Sequence, residues 1–443
     1  MTVTLRDVLD ARERRVLRQQ NLLKTYAKPL VCFTMNIAGP EKNNDLITKG
    51  FHMGLAMLDA QLSGSRVSVL YRQIYEESTG CEAYYIADIP TERLKALAVQ
   101  VEDSIPAGRL FDMDVLTPDG HKVSRESLGL PGRKCLICGG PVHICSRSRA
   151  HTVAQLQAKT ASLLQDALWQ QESERIGSLA AKSLLYEVCS TPKPGLVDRC
   201  NNGSHKDMDL FTFMASCSAL QPYFVKCALT GLQTKEQAAC VTFEAIRFWG
   251  KQAEQTMLQA TNGINTHKGA IFTLGLLCAA AGRSDTADPE TLCLQVAAMT
   301  KGITKADFSA GKAHSTGEKL FSQYGITGIR GQAEAGFPAL HEVGLPVLEA
   351  GLAHGLTLEE AGCAALLHLM CAITDTNLIA RSDFATQQEV CEKIRMLLDA
   401  DTFPCRSALK KLDVEFTSAN LSPGGSADLL AATYFLYFCK TGL

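Results

Sequence analysis

Ser190-Thr-Pro-Lys-Pro-Gly-Leu-Val-Asp-Arg-Cys-Asn-Asn-Gly-Ser-His-Lys-Asp-Met-Asp209 is the stretch on which the reading of this chain turns. It is too polar for a core element and too rich in Pro and Gly for a helix. Yet it lies between two segments of helical periodicity, Ile176, Leu179, Ala180, Leu184 and Val188 before it and Leu210, Phe213, Met214, Cys217 and Leu220 after it. A long polar loop inside a helical domain usually serves a function. This one gathers Lys193, Asp198, His205, Asp207 and Asp209, a set able to hold a metal and phosphates; the alternative is a solvated connection.

Downstream, strand-like alternation nearly vanishes. Periodicity predicts helices over 208–220, 235–259, 270–281, 289–300, 358–374, 389–398 and 426–439, within an all-α domain of some ten helices and no short repeat. Polar, glycine-bearing stretches precede two of these helices. Asn262–Gly269 contains His267 and Lys268, and Leu421–Asp428 contains Gly424, Gly425 and Ser426. Helix N-termini offer unpaired N–H groups and partial positive charge, and glycine lets a phosphate approach the backbone. Each stretch, taken alone, also fits an ordinary capped turn. Glu254 and Asp375 are further carboxylates near these loops, taken singly as surface or capping groups.

Upstream the pattern is α+β. A helix over 1–28 is expected to turn Val8, Leu9, Val16, Leu17, Leu22 and Leu23 inward and its arginines outward. Strands are expected over 29–37, 66–74 and 83–89, with helices over 45–62 and 91–101. A further strand, 108–116, places Asp112 and Asp114 on one face with Leu110 and Leu116, and Phe111, Met113 and Val115 on the other. Two carboxylates side by side repel, and a divalent cation such as magnesium removes that cost. Cys135, Cys138, Cys145 and His151 offer four zinc ligands, with His143 as a substitute for His151 and free thiols as the alternative. Arg147 and Arg149, two apart, are candidates for gripping phosphates. The polar helical run after Thr152 places a domain boundary near 168, dividing the chain into 1–168 and 169–443.

Composition narrows the class. The chain has 443 residues, 46% hydrophobic and 20% charged, enough for packed cores. A net charge of −2 argues against broad phosphate neutralisation on nucleic acid. The charged start, MTVTLRDVLDARERR, does not read as a signal peptide, and no run is long enough to span a bilayer. Seventeen scattered cysteines, an odd number, fit a reducing cytoplasm with mostly free thiols.

Taken together, several stretches resemble the triphosphoribosyl-dephospho-coenzyme A synthase family: Thr191–Asp198, Gly203–Met208, Asn265–Gly269, Asp375–Asn377 and Asn420–Asp428. The resemblance runs from about 175 to 443. It has two departures: the family pattern carries an acidic residue where Gly331-Gln332 stands, and Asp209 lies just past the His-Lys-Asp-Met motif at a position not expected to be fixed, so Asp207 ranks above it. The upstream part resembles the citrate lyase holo-acyl-carrier-protein synthases through Gly39-Pro-Glu-Lys42, Gly108–Val115 and the Cys135–His151 run. The resemblance implies a fusion of two successive enzymes, with ATP, 3′-dephospho-coenzyme A and the apo-acyl carrier protein of citrate lyase as partners. It implies that Asp198, His205, Asp207 or Glu254 serves as base or metal ligand in the synthase, with Lys193, Lys206, His267, Lys268, Gly424, Gly425 and Ser426 holding the triphosphate. In the transferase it implies magnesium on Asp112 and Asp114 with Glu82 as a third carboxylate, and Lys42, Arg109 and Arg147 on the pyrophosphate. The strand-borne pair suggests a nucleotidyltransferase-like fold by analogy. The rivals are a metal-dependent nucleotide or ADP-ribose hydrolase, a zinc-stabilised sensor, and the equivalent pathway for malonate decarboxylase.

Overall fold

Leu30-Val-Cys-Phe is apolar without alternation, the pattern of a strand covered on both faces. In a computed structural model that describes residues 3–308 and 316–443, it is the central strand of a five-stranded antiparallel sheet. The strands are β1 (Leu30–Met35), β2 (Val69–Glu77), β3 (Gly80–Ala87), β4 (Phe111–Leu116) and β5 (Lys122–Val123), in the order β2-β3-β1-β4-β5. Helices α1 (Leu5–Tyr26), α2 (Asp45–Gly64), α3 (Thr91–Ser104), α4 (Val142–Ser148) and α5 (Val153–Cys189) accompany it. The chain divides into two compact units, Met1–Gln170 and Gln171–Leu443.

In the first unit, Val31, Phe33, Ala83, Tyr85, Phe111, Met113 and Val115 form one sheet face and pack on Phe51 and Leu58 of α2 and Leu94 and Ala98 of α3. Phe33 stacks on Phe51 with ring centroids 4.8 Å apart and meets Phe111 edge-on at 5.4 Å. Leu30, Cys32, Tyr84, Ile86 and Leu116 form the other face, beside Leu23 of α1. The two strands expected at 66–74 and 83–89 form a hairpin. Its pairing starts at Val69 because Arg66 takes a left-handed φ of 54° and turns the chain.

Two expectations are corrected here. Leu9, Val16 and Leu17 of α1 are exposed, and the inward positions include Ala11, Arg15, Arg18, Leu22 and Leu23. The arginines turn in because the sheet beneath them carries acid: Arg15 and Arg18 reach Glu82 at 2.8 and 3.1 Å. Arg18 also lies 3.8 Å above the Tyr75 ring. Second, Leu110 does not stand beside the aspartates. Pro106–Leu110 is a 3-10 turn, and Leu110 enters the core with Phe111. A side chain at Gly108 would sit 2.4 Å from the Glu102 carbonyl oxygen, so only glycine permits that turn.

The second unit is helical throughout its described residues. Its elements are α6 (Leu210–Gln233), α7 (Ala239–Ala260), α8 (Lys268–Arg283), α9 (Pro289–Thr300), α10 (Ile303–Phe308), α11 (Thr316–Tyr324), α12 (Gly328–Glu334), α13 (Leu345–Ala353), α14 (Leu358–Ala372), α15 (Thr376–Arg381), α16 (Phe384–Ala400), α17 (Arg406–Ser418) and α18 (Gly424–Thr441). This exceeds the ten expected. Short helices such as α12 and α15 carry too little periodicity to be seen in sequence. Helices α8 and α18 are buried nearly all round and form the centre. Among the described residues, no helix is long and apolar enough to cross a membrane.

Helices α6 and α8 approach until their backbones touch. A Cβ at Gly231 would lie 2.1 Å from the Ala279 carbonyl oxygen, and one at Gly282 would lie 2.2 Å from that of Ala228. Neither backbone can yield without moving the helix. Gly231→Ala is therefore expected to lower stability by about 1–3 kcal/mol despite its better helix propensity, measured by urea unfolding at fixed pH.

Candidate active sites and a candidate metal centre

Strand β4 alternates buried and half-buried, which sets Asp112 and Asp114 on one face as the alternation predicts. Thr34 of β1 pairs with Asp112 on one side and Glu82 on the other. Glu82 therefore shares the face, but β1 intervenes, placing it roughly two strand spacings, about 10 Å, from Asp112. Its carboxylate is taken by Arg15, Arg18 and the Tyr84 hydroxyl, and its side chain is only 6% exposed. Asp112 and Asp114 are 40% and 29% exposed; Arg133 stands 3.6 Å from the first and Lys122 2.5 Å from the second. The accessible carboxylates are thus a pair rather than a triad.

Arg133 leads from Asp112 into a cleft of about 570 Å³. Arg109, Lys134 and Arg149 line it as well, with Cys135, Cys145 and His151 in its wall. Burial, then the neighbouring Arg133 and Arg125, draws the Arg109 pKa down. Arg147 does not line the cleft: it lies two residues from both Cys145 and Arg149, on the opposite side of α4. Lys42 does not reach it either and donates to the Ile37 carbonyl at 2.6 Å.

The four sulfur and nitrogen ligand atoms of Cys135, Cys138, Cys145 and His151 all lie within 4.8 Å of one another. His143 is exposed on α4 and is not among them. Three thiols and an imidazole form a donor set for a tetrahedral soft or borderline cation. Two observations support that fit. Nε2 of His151 is buried with no hydrogen-bond partner among the described residues. The Cys138 and Cys145 sulfurs approach to 3.4 Å, near the roughly 3.8 Å between two thiolates on one tetrahedral ion. The backbone N–H groups of Cys138 and Ile137 pull the Cys135 thiol down to about 6.

In the second unit the expected phosphate-binding loops turn out to be occupied by the protein's own groups. Asp198 accepts from Thr191 Oγ1 at 2.6 Å and from the N–H groups of Lys193, Cys200 and Asn201 at 3.2, 2.6 and 2.9 Å. It organises the loop, with little capacity left for a proton or a metal. Lys193 is buried and paired with Glu187. Asp209 caps α6, whereas Lys206 and Asp207 are exposed in the loop. His205 donates from Nε2 to Ser422 at 2.9 Å and accepts the Arg381 guanidinium at Nδ1, 3.0 Å away. Burial and Arg381 hold it neutral, with a pKa of about 4.

His267 lies inside the unit, bonded to Ser216 at 2.7 Å and edge-on to Phe213. Burial and then Lys193 push its pKa to about 3. Lys268 and Glu254 pair at 3.0 Å. Gly425 N–H, Ser426 N–H and Ser426 Oγ donate to Asp375 at 3.2, 2.7 and 2.8 Å. Gly424 permits the approach, since a Cβ there would meet Asn377 at 2.8 Å. Asp428 plays the same part at α8: its carboxylate faces the Ala270 N–H, and a Cβ at Gly269 would lie 1.9 Å from its Oδ2.

Buried Glu187 and Asp375 and the half-buried Asp428 therefore lie in one acidic network with Lys193. Burial raises all three, and Glu187 and Asp375 raise Asp428 further. Carboxyls whose proton affinities are raised to different extents thus stand side by side, an arrangement suited to acid–base chemistry. Sequence reasoning missed Glu187 and Asp428. The signal was present: each is an acid among the apolar residues of a helix that packs in the core. Gln332, at the position where the resemblance led to an acidic residue being expected, accepts from the Ala339 N–H at 3.4 Å.

Two measurements follow from this geometry. The purified chain should carry about one tightly held transition-metal ion by elemental analysis, and Cys138→Ser, an exposed ligand, should lower that content several-fold. For pH, folded His267 and His205 refuse a proton that the unfolded chain accepts below its ordinary value near 6.5. Stability should therefore be fully present above pH 6.5 and fall as pH drops towards 4, and His267→Asn should flatten that slope in urea titrations.

Comparison with known proteins assigns the halves. The CitX family, apo-citrate lyase phosphoribosyl-dephospho-CoA transferase, matches residues 3–167, and the CitG family, ATP:dephospho-CoA triphosphoribosyl transferase, matches residues 173–443. Protein CitXG of Haemophilus influenzae is 36% identical over 450 residues, covering 98% of this chain and 96% of that protein. Protein CitXG of Leuconostoc mesenteroides subsp. cremoris is 32% identical over 457 residues, covering 98% and 97%. The 2-(5''-triphosphoribosyl)-3'-dephosphocoenzyme-A synthase of Haemophilus ducreyi is 37% identical over 331 residues, covering 68% of this chain and all of that protein. With both matches in order along nearly its whole length, the chain belongs to the family of CitX–CitG fusions, bifunctional transferases of citrate lyase prosthetic-group synthesis.

Proposed function

We propose that the chain makes and attaches the citrate lyase prosthetic group in two steps, divided between 1–168 and 169–443. In the helical part, a ribose hydroxyl of 3′-dephospho-coenzyme A attacks the anomeric carbon of ATP. The bond to adenine breaks, the hydroxyl proton leaves, and the triphosphate is retained. An oxocarbenium-like transition state calls for a nearby carboxylate. The network of Glu187, Asp375 and Asp428 supports that role better than Asp198, whose acceptor capacity the loop uses. His205 and Asp207 remain at the loop that meets Ser422, and the Lys268–Glu254 pair can open towards a phosphate.

In the α+β part, a serine hydroxyl of the apo-acyl carrier protein attacks the α-phosphate of that product. The new O–P bond forms as the bond to the β-phosphate breaks, and pyrophosphate departs with the electron pair. The observation that carries this reading is the half-exposed Asp112–Asp114 pair on one face of β4. These two residues would hold magnesium, which when bound lowers the charge that the nucleophile meets. Glu82 serves the α1 clasp instead. A strand-borne aspartate pair on an antiparallel sheet is compatible with a nucleotidyltransferase-like fold. Zinc is the ion we assign to the Cys135, Cys138, Cys145 and His151 cluster, in a structural role, and seventeen cysteines without a disulfide among them fit a reducing cytoplasm.

The test supplies radiolabelled ATP, 3′-dephospho-coenzyme A and apo-acyl carrier protein. Adenine release that depends on dephospho-coenzyme A and label on the carrier are expected. Asp112→Asn should keep adenine release and lose carrier labelling by at least about 100-fold, several kcal/mol of transition-state stabilisation. Adenine release from ATP alone would instead indicate a hydrolase, and labelling only of a malonate decarboxylase carrier would reassign the acceptor.

A further inference from the structure

We infer that the basic cleft of the first unit is the seat of a pyrophosphate group, gripped by Arg149 together with Arg109 and Lys134. The inference deepens the transferase reading and rests on it for the identity of the leaving group. The cavity of about 570 Å³ falls within the range of small-molecule sites. Four cations line it; Glu102 meets one of them, Arg133, and Asp103 takes Arg125 outside the lining, which leaves three. Arg109, Lys134 and Arg149 make no ion pair among the described residues, and Arg109 donates only to the Lys134 carbonyl. Like charges gathered in one cavity repel, and a polyanion removes that cost.

The backbone singles out Arg149. It caps α4 in the left-handed region, with φ 48° and ψ 42°, where glycine is the usual residue. A bulky side chain held there costs free energy, and its position in the cleft gives that cost a purpose. Two candidate metal ligands flank it. Cys145 lies one helical turn before it, and His151 lies two residues after it. A metal on those ligands would fix the short helix that presents the guanidinium, so the cluster builds the wall of the seat. Arg133 connects the cleft to Asp112 at 3.6 Å, setting the seat beside the carboxylate pair that serves the reacting phosphate. Bidentate guanidinium contacts would then stabilise the charge that develops on the departing pyrophosphate.

The test titrates the full chain with inorganic pyrophosphate by calorimetry. The readout is the difference between wild type and variant, because the helical unit is also proposed to bind a phosphate chain. Arg149→Gly suits the left-handed backbone, and Arg149→Lys restores charge without the fork. Arg149→Gly and Arg109→Ala are expected to weaken binding at least tenfold, Arg149→Lys to recover part of it, and Arg93→Ala, an exposed arginine of α3, to change it less than twofold. Metal content and melting temperature matching wild type establish that each variant is folded. Wild-type pyrophosphate affinity in folded Arg149→Gly and Arg109→Ala would overturn the inference, as would an equal loss in Arg93→Ala. The two readings fail separately. Arg149-dependent pyrophosphate binding in a chain that never loads a carrier keeps the seat and removes the transferase reading. Carrier loading with unaltered product inhibition by pyrophosphate in Arg149→Gly keeps the transferase reading and removes the seat.

Discussion

A carboxylate taken out of water has to be met by donors, and in the helical unit Asp375 shows what that demand builds. It is 1% exposed. It caps α15 through Asn377 and Leu378 and receives the first N–H groups of α18, while its own N–H donates to Gln387 of α16. One side chain thus fixes the starting points of two helices and ties a third to them. Asp428, one turn into α18, repeats the arrangement at the start of α8. Partial positive charge at helix N-termini is what lets these acids remain inside. In return they close helix ends that would otherwise carry unsatisfied donors.

The same demand is answered differently in the sheet unit. Glu82 is enclosed by Arg15, Arg18 and Tyr84, so its charge is spent on holding α1 against β3. Asp112 and Asp114 share its face but lie beyond β1, where, among the described residues, their ion-pair partners are Arg133 and Lys122 and no arginine of α1. Acids on one face of one sheet therefore divide into a structural one and an accessible pair. What divides them is the path of α1 across the sheet.

Much of this was legible in the chain. The 3.6-residue spacing of Leu184 and Val188, the unbroken apolar run of β1 and the alternation of β4 are local signals, and each became the expected element. The Cys135–His151 run pointed to four side chains whose ligand atoms the fold brings within 4.8 Å of one another. Pairing partners were harder to read. Arg15 and Arg18 read as surface residues because an arginine normally is one, and only the acid beneath them reverses that. Arg147 and Arg149 are equivalent in composition, but Arg147 lies within α4 and Arg149 just past its end, where a left-handed backbone turns it to the cleft.

What the sequence determined by itself was the order of elements, the two-part organisation and the residue types available for chemistry, because periodicity and turn preference are properties of neighbouring residues. Tertiary structure decided which of those residues are free to act. Asp198, Lys193 and Glu82 carry the right groups but are consumed by contacts with residues brought close by folding. Glu187 and Asp428, neither singled out as a site residue in the sequence, come together because α5 and α18 fold into one core. A charge's role is set by what lies within a few ångströms of it, and that distance is decided by packing.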